Sequence, residues 1–589
     1  MKKKFERKIK LSTIKWMIGY LGKHKPIFAI ALICPMVSAY CLAMGTYLIR
    51  PVINDYFIPA IDSGVLDIKG IVQTLSIMAL FFLASAILLF LQNTMMTRLC
   101  HYSLAAMRED MFVHMQNLPL SFFDRNNSGT VMSKYSNDID VISTMLRGSL
   151  PQMLYGVVTI ITILVTMLLM NLVITMVVLL CTIVLTLVLK QILKRNAILY
   201  ARQLGENSDL QGYAGEMIEG QEIVRYFGRE DDVTKKFDEK NEKLFQTMSD
   251  TNSHTNRIFP VSGGIFNIGY AVIAMTGCIL AFMGKTDIGA VAAFLPYFRS
   301  FTTPIIQISR QFDNVLAAMA GAERIYAFLN ETPEADEGLE NVQIDEMFRE
   351  GVRIRFDQVD FGYHENQTVL ENMDFDIPPK TCVAVVGASG AGKTTIMVLL
   401  NRLYEIRSGR ILFNGHDIRK YKKSELRKLV SVVYQDTHFF SGTIADNIRI
   451  GCPDATDDDV EKAARLSNAH SFISHLPDGY KTMMTDDGRG FSDGQKQLIS
   501  IARAAITNAP VLVLDEATSF VDSNTEAAIR DGIKNLMKGK TTFIVAHKLS
   551  TVENVDLILF LKDGRIAESG THEQLIEKRG LYYELYHFI

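Results

Sequence analysis

Four stretches of this chain carry no charged residue at all: 26–49, 70–97, 148–189 and 258–284. A bilayer's hydrocarbon core takes about 20 apolar residues of helix to cross, so three of these runs predict single spans. The run from Gly148 to Leu189 is 42 residues long and predicts two, with Asn171 near its middle as a tight turn. A sixth span is predicted from near Ile288 and contains Arg299. The apolar runs end near residue 325, and the remainder of the chain has a different texture. A chain of 589 residues is too long for one ordinary domain. The spans exclude a soluble enzyme, and the net charge of −3 gives no basic field for a nucleic-acid partner. Seven cysteines are scattered without metal-like spacing or a disulfide framework, which suits a reducing cytoplasm and a bilayer.

An even number of spans puts both termini on one side. Nine cations lie between Lys2 and Lys25 against the single acid Glu6, whereas the first outer loop offers Asp55, Asp62 and Asp67 against Lys69. The positive-inside rule makes the N-terminus cytoplasmic, and the chain is expected in the cytoplasmic membrane among its lipids. The outer loops are short. The two inner connections, 98–147 and 190–257, are charged and helical in pattern. They read either as solvated hairpins or as levers, about 35–50 Å long at 1.5 Å per residue, that contact a cytoplasmic motor. The expected divisions are a membrane domain over 1–329, an acidic linker with Pro333 over 330–350, and a second domain over 351–589. There, short apolar strands alternate with helices in a parallel α/β pattern, with Cys382–Val386 and Val511–Leu514 as buried strands.

Gly387-Ala388-Ser389-Gly390-Ala391-Gly392-Lys393-Thr394 comes directly after the first of these strands and opens a helix, with Thr395 next in line. This is the P-loop pattern. Glycines let backbone N–H groups wrap phosphates, a helix N-terminus adds a favourable dipole, the lysine reaches the β- and γ-phosphates, and the threonine ligates Mg²⁺. A P-loop needs an acid at the end of a second strand to hold the metal. Val511-Leu-Val-Leu-Asp515-Glu516 supplies it, Asp515 for the magnesium and Glu516 as general base toward the attacking water.

With these residues the chain resembles the ATP-binding cassette (ABC) exporters, over nearly its whole length. The marks run in order: Tyr363 ahead of the P-loop, Gln435 in Val-Val-Tyr-Gln-Asp, Phe491-Ser492-Asp493-Gly494-Gln495, Glu516, Asp522 in Ser-Phe-Val-Asp, and His547 in Ala-His-Lys-Leu-Ser. In the membrane half, Leu118-Pro-Leu-Ser-Phe-Phe-Asp124 with Asn137-Asp138, and Gly212 to Glu230, are similar to the family's two intracellular loops. The resemblance implies a six-span helical domain of the type I exporter fold followed by an α/β nucleotide-binding domain, with ATP and Mg²⁺ as cofactors. It implies that Tyr363 stacks on adenine, that Gln435 senses the γ-phosphate and metal, and that His547 organises the attacking water. It also implies a second half-transporter as partner, because two cassettes close head to tail and the signature of one completes the P-loop site of the other.

The usual signature is Leu-Ser-Gly-Gly-Gln. Here Asp493 stands for the first glycine and brings a negative charge toward a polyanion. Like charges a few ångström apart in a partly dry site cost about 1–4 kcal/mol. Thr485-Asp-Asp-Gly488 and Ser-Phe-Val-Asp depart from the pattern as well. Two readings are open. In a homodimer the aspartate is tolerated, being comfortable at a helix start, and Ser492, Gly494 and Gln495 still serve. In a heterodimer, which the departures favour, this chain keeps the catalytic set Lys393, Gln435, Glu516 and His547 while its partner supplies an intact signature. The expected activity is ATP-driven export of an amphipathic drug, lipid or peptide. A lipid flippase and an ATP-binding regulatory subunit are the alternatives. Arg299, near mid-bilayer with no acid in the other spans to pair with, points to water, substrate or the other subunit. Arg50, at the outer edge of the first span, is free to snorkel.

Overall fold

Helices longer than a bilayer is thick dominate the first half of the chain. The computed structural model describes residues 11–336, 338, 347, 349–364, 367–435, 437–485, 487–515, 523–545 and 554–588. They fall into two compact units, Met1–Gln116 with Ser128–Glu331, and Asn117–Asn127 with Thr332–Ile589.

In the first unit five helices are long and apolar enough to cross a membrane: α1 (Lys25–Ile61), α2 (Ile68–Gln116), α3 (Ser128–Met170), α4 (Leu172–Glu219) and α5 (Glu230–Phe282). The sixth expected span is also helical, α6 (Ile288–Leu329). It falls short of that apolarity because Pro296, Tyr297, Arg299, Thr302, Thr303 and Pro304 interrupt it. Large apolar side chains stand outward on these helices, Phe90 at 72% and Leu169 at 83% exposure. In water such faces would aggregate; in lipid they are solvated. Between helices the packing relies on small and hydroxyl groups, as membrane bundles do. Ser38 and Ser85 share a hydrogen bond of 2.9 Å between α1 and α2, and a Cβ on Gly45 would meet the Phe82 ring at 3.0 Å.

Asn171 makes the turn expected of it. It caps α4, its side chain accepting the N–H groups of Val173 and Ile174 at 3.0 and 3.2 Å. Arg50 departs from expectation. It does not snorkel freely but donates from Nε and Nη2 to Asp287 at 3.0 and 2.6 Å, and Asn54 donates to the same carboxylate at 2.6 Å. The helices continue past their apolar runs. Residues 98–116 of α2 add about 28 Å and residues 190–219 of α4 about 45 Å. On α3 the chain widens into π-turns at Lys134–Asp138 and Met145–Ser149. The buried carboxylate of Asp138 there takes the Nε of Arg324 from α6 at 3.0–3.1 Å, with Arg324 Nη2 closing the fork.

The second unit holds a sheet of β1 (Ile354–Phe361), β2 (Leu370–Ile377), β4 (Ser408–Phe413) and β5 (His416–Asp417), antiparallel in the order β2-β1-β4-β5. The parallel pattern read from the sequence belongs to the larger sheet, whose order is β12-β11-β3-β10-β9-β6. Its strands are β3 (Cys382–Gly387), β6 (Val430–Val433), β9 (Val511–Asp515), β10 (Thr541–Val545), β11 (Leu557–Lys562) and β12 (Arg565–Gly570). All are parallel except the edge strand β12. Two short strands, β7 (Gly442–Thr443) and β8 (Met483–Met484), pair separately and antiparallel. Buried on both faces, β9 and β10 read as continuous apolar or Thr-rich runs, as central parallel strands do. The helices of this unit include α7 (Lys393–Leu400), α8 (Asp493–Ile506) and α9 (Leu581–Phe588). The acidic stretch after α6 is anchored at its start. Glu334 accepts from Lys423 at 3.0 Å and Arg427 at 2.7 Å, and Asp336 accepts the Lys423 N–H at 2.8 Å.

Candidate functional site

Parallel strands present their C-terminal ends along one edge, where open α/β sheets bind ligands. β3 runs into the loop 387–394, which opens α7. One strand over, Val545 of β10 lies level with Val385 of β3, and beyond it Asp515 ends β9 level with Val545. The P-loop and the acid therefore share one edge with β10 between them. Gly392 caps α7 at φ 100°, a conformation that disfavours any side chain, and a Cβ there would meet Leu370 at 2.6 Å. Gly390, at φ 82°, has nothing within 4 Å of where a Cβ would stand, so its bare face opens outward from the loop.

Ala388, Ser389, Gly390 and Thr394 are exposed, whereas Ala391, Lys393 and Thr395 are buried. Lys393 donates from Nζ to the carbonyls of Gly387 and Ala388 at 2.8 and 3.0 Å, so its ammonium is held against the loop. Beside the loop lies a cavity of about 390 Å³ whose other wall is the β11–β12 turn with Lys562 and Asp563, and α9 with Glu584. Nothing in the sequence pattern points to that wall. Tyr363 hydrogen-bonds Thr395 through its hydroxyl at 3.1 Å and packs edge-on against Phe361 and Tyr404. The ring thus stands next to the start of α7 on a partly exposed face.

Gln435 is exposed just past the end of β6. Its neighbour Tyr434 is close enough to the strand end that burial first, and then the charge of Asp515, push its phenol up. Downstream, the loop is tied to α8. Thr437 donates to Ser500 at 3.0 Å, and Arg503 donates to the carbonyls of Asn447 and His438 at 2.9 and 3.0 Å. Ser492 caps α8, Gly494 is buried in its first turn, and Gln495 completes a capping box with Ser492. Asp493 occupies the first turn with its side chain 78% exposed and Lys496 3.9 Å away. Glu516, Asp522 and His547 lie outside the described residues.

The residues present suit a nucleotide. The loop is glycine-rich and outward-facing, a buried ammonium backs it, and the groups at the sheet edge that could meet a hard cation are oxygens of Thr394, Gln435 and Asp515. Among the described residues no cluster of three His, Cys, Asp or Glu side chains could hold a metal by itself.

A family model described as ABC transporter transmembrane region matches residues 28–305, and one described as ABC transporter matches 370–519. Among curated proteins, an uncharacterized ABC transporter ATP-binding protein of Bacillus subtilis is 35% identical over 99% of this chain and 95% of its own length. A fatty acid ABC transporter ATP-binding/permease protein of Mycobacterium bovis is 33% identical over 88% of this chain and 82% of its own. An ATP-dependent lipid A-core flippase of Syntrophus aciditrophicus is 31% identical over 99% and 96%. With its membrane helices and its P-loop domain on one polypeptide, this chain belongs to the ABC transporters as an exporter-type half-transporter that couples ATP hydrolysis to transport across a membrane.

Proposed function

We propose that the chain is the catalytically competent half of a dimeric exporter that moves amphipathic molecules out through the cytoplasmic membrane, with its N-terminus and nucleotide-binding domain in the cytoplasm. The observation that carries this is the shared sheet edge of the 387–394 loop and Asp515 on a chain whose other unit is built of membrane-length helices. The domain limits 1–329, 330–350 and 351–589 are part of the proposal. Bound magnesium supplies charge neutralisation at the phosphates. Thr394, Gln435 and Asp515 would hold it, and Lys393 and the N–H groups of residues 388–394 would orient the phosphates. Glu516 takes a proton from the attacking water, His547 fixes that water, Tyr363 offers its ring to the base, and Asp522 faces the partner cassette.

A heterodimer fits the exposed charge of Asp493 at the start of α8. In that arrangement the partner lends an intact signature to this chain's P-loop, while the site that Asp493 completes turns over slowly. In a homodimer, both sites carry the aspartate. The lipid A-core flippase among the relatives favours lipid flipping as the second reading of the transport step, and the fatty acid transporter favours an aliphatic cargo. The full-length chain, purified alone in phosphatidylcholine vesicles, tests the proposal through its assembly state and its substrate-stimulated ATP hydrolysis. The reading expects Glu516→Gln to abolish nearly all turnover in the active assembly. Substantial residual hydrolysis would sink it. A robustly active homodimer would sink the heterodimer alone.

A further inference from the structure

In the membrane unit, α4, α5 and α6 enclose a cavity of about 420 Å³, within the range of about 300–1,000 Å³ that holds small ligands. Its walls are aliphatic: Leu185, Leu189, Ile258, Ile305 and Ile306. Lys190, Lys194 and Arg310 also line it, and among the described residues none of its lining is an acid. All three cations are exposed, and among the described residues none forms an ion pair. Lys190 and Lys194 sit four residues apart, where like charges on a helix repel.

The level of these groups matters. Lys190 is the first charge after the uncharged run 148–189, so the cations stand at the membrane's inner edge and the aliphatic walls lie within the hydrocarbon. A third feature lies deeper. Thr302 also lines the cavity; it is 2% exposed, and among the described residues its hydroxyl has no hydrogen-bond partner. A buried, unsatisfied hydroxyl is costly, and an oxygen of a bound molecule would satisfy it. Arg299 extends the pattern. It lies eleven residues before Arg310 on α6, close to three whole turns, and so on the same face about 16 Å further toward the outer surface.

We propose that this cavity is the loading site for a single-chain anionic amphiphile, with an aliphatic tail between α4, α5 and α6 and a carboxylate or phosphate head against Lys190, Lys194 and Arg310. Thr302 meets an oxygen of the same molecule, and Arg299 is the next foothold for the head as it crosses. A neutral or cationic amphiphile would fill the apolar space but leave three like charges facing it, so charge complementarity selects the anion. This inference rests on the exporter reading and names its substrate class.

The test uses the full-length chain, in the assembly in which it purifies, in phosphatidylcholine nanodiscs. The probes are a palmitate bearing a photoreactive group in its tail and a quaternary-ammonium analogue with the same tail. The palmitate is expected to label peptides within 185–194 or 302–310. The triple variant Lys190→Gln, Lys194→Gln, Arg310→Gln should weaken palmitate at least tenfold and the cationic analogue less than twofold. Thr302→Val, which keeps the shape, should weaken palmitate about threefold. Arg299→Gln should leave labelling intact and slow palmitate transport at least fivefold. Labelling elsewhere, equal loss for both probes, or displacement of the label by excess phosphatidylglycerol would overturn the site. If the cationic analogue stimulates hydrolysis while palmitate neither binds nor labels, the site fails and the exporter reading stands. If palmitate labels the cavity but neither probe stimulates hydrolysis, the cavity binds the amphiphile without loading it for export, and the loading role is overturned while the exporter reading stands.

Discussion

Ser492 and Gln495 satisfy each other's backbone. The Ser492 hydroxyl accepts the Gln495 N–H at 3.3 Å, and the Gln495 side-chain oxygen accepts the Ser492 N–H at 3.1 Å. This reciprocal cap explains why an aspartate can sit between them. The fold of α8 is set by its neighbours, and the acid in its first turn is worth about 0.3–1 kcal/mol of helix stability. Asp493 is therefore structurally benign, and in the proposed dimer whatever it costs would fall on the phosphate it meets there. Asp493→Gly should leave the melting temperature level or slightly lower. ATP hydrolysis by the chain alone should rise about tenfold, equivalent to about 1.4 kcal/mol of barrier. An unchanged rate in a steady-state phosphate-release assay would mean that the charge is tolerated.

Tyr363 has two separable features, its ring and its hydroxyl bond to Thr395. Stacking acts on ground state and transition state alike, so its loss should raise KM rather than lower kcat. Tyr363→Ala is expected to raise the KM for ATP about fivefold, whereas Tyr363→Phe should stay within twofold of wild type. A variant that lowers kcat with KM unchanged would show that the hydroxyl, through Thr395, positions the P-loop helix.

Asp138 is sealed to 4% exposure and relies on Arg324. Arg324→Ala leaves a buried carboxylate without its cation, at a cost on the order of 2–4 kcal/mol, the lower side of buried pairs because the arginine is half exposed. Removing both charges should recover much of this. Thermal unfolding of Arg324→Ala, Asp138→Leu and the double variant in detergent forms a cycle that reads the coupling directly.

Glu334 sets a pH dependence. Burial alone would raise its carboxyl, but Arg427 and Lys423 outweigh burial and hold it below the ordinary range. A carboxylate more acidic folded than unfolded stabilises fully above its unfolded pKa, about 4.3, and loses that contribution as pH falls through the folded value. Glu334→Gln should cost about 1 kcal/mol near neutrality, and the variant and wild type should converge as pH falls below the folded value. Melting curves across that range check the sign.

Much of the architecture is legible in the sequence because its signals are local. Uncharged runs report membrane helices, Asn171 reports a cap, and a strand leading into Gly-rich sequence and Lys393 reports a phosphate loop. The pairings Arg50 with Asp287 and Asp138 with Arg324 bridge 237 and 186 positions, a separation no periodicity can report. Arg50 reads as free to snorkel for that reason. The antiparallel sheet is hard to read because β1, β2 and β4 alternate buried and exposed side chains, whereas the parallel strands stand out as continuous apolar runs. Asp493 is readable as a departure, but its exposure and the cap around it are matters of side-chain geometry.

The bonds from Thr437 to Ser500 and from Arg503 to the 438–447 segment tie the stretch that follows Gln435 to the helix that Ser492 caps. In the proposed roles, the first reads the occupancy of this chain's own nucleotide and the second is surface lent to a neighbour. A shift in either would strain those bonds and pull on the other. On those roles the cassette would signal its state as it senses it, and a Thr437→Val substitution should put the two sites out of step, with ATP binding kept but hydrolysis slowed, before it silences either.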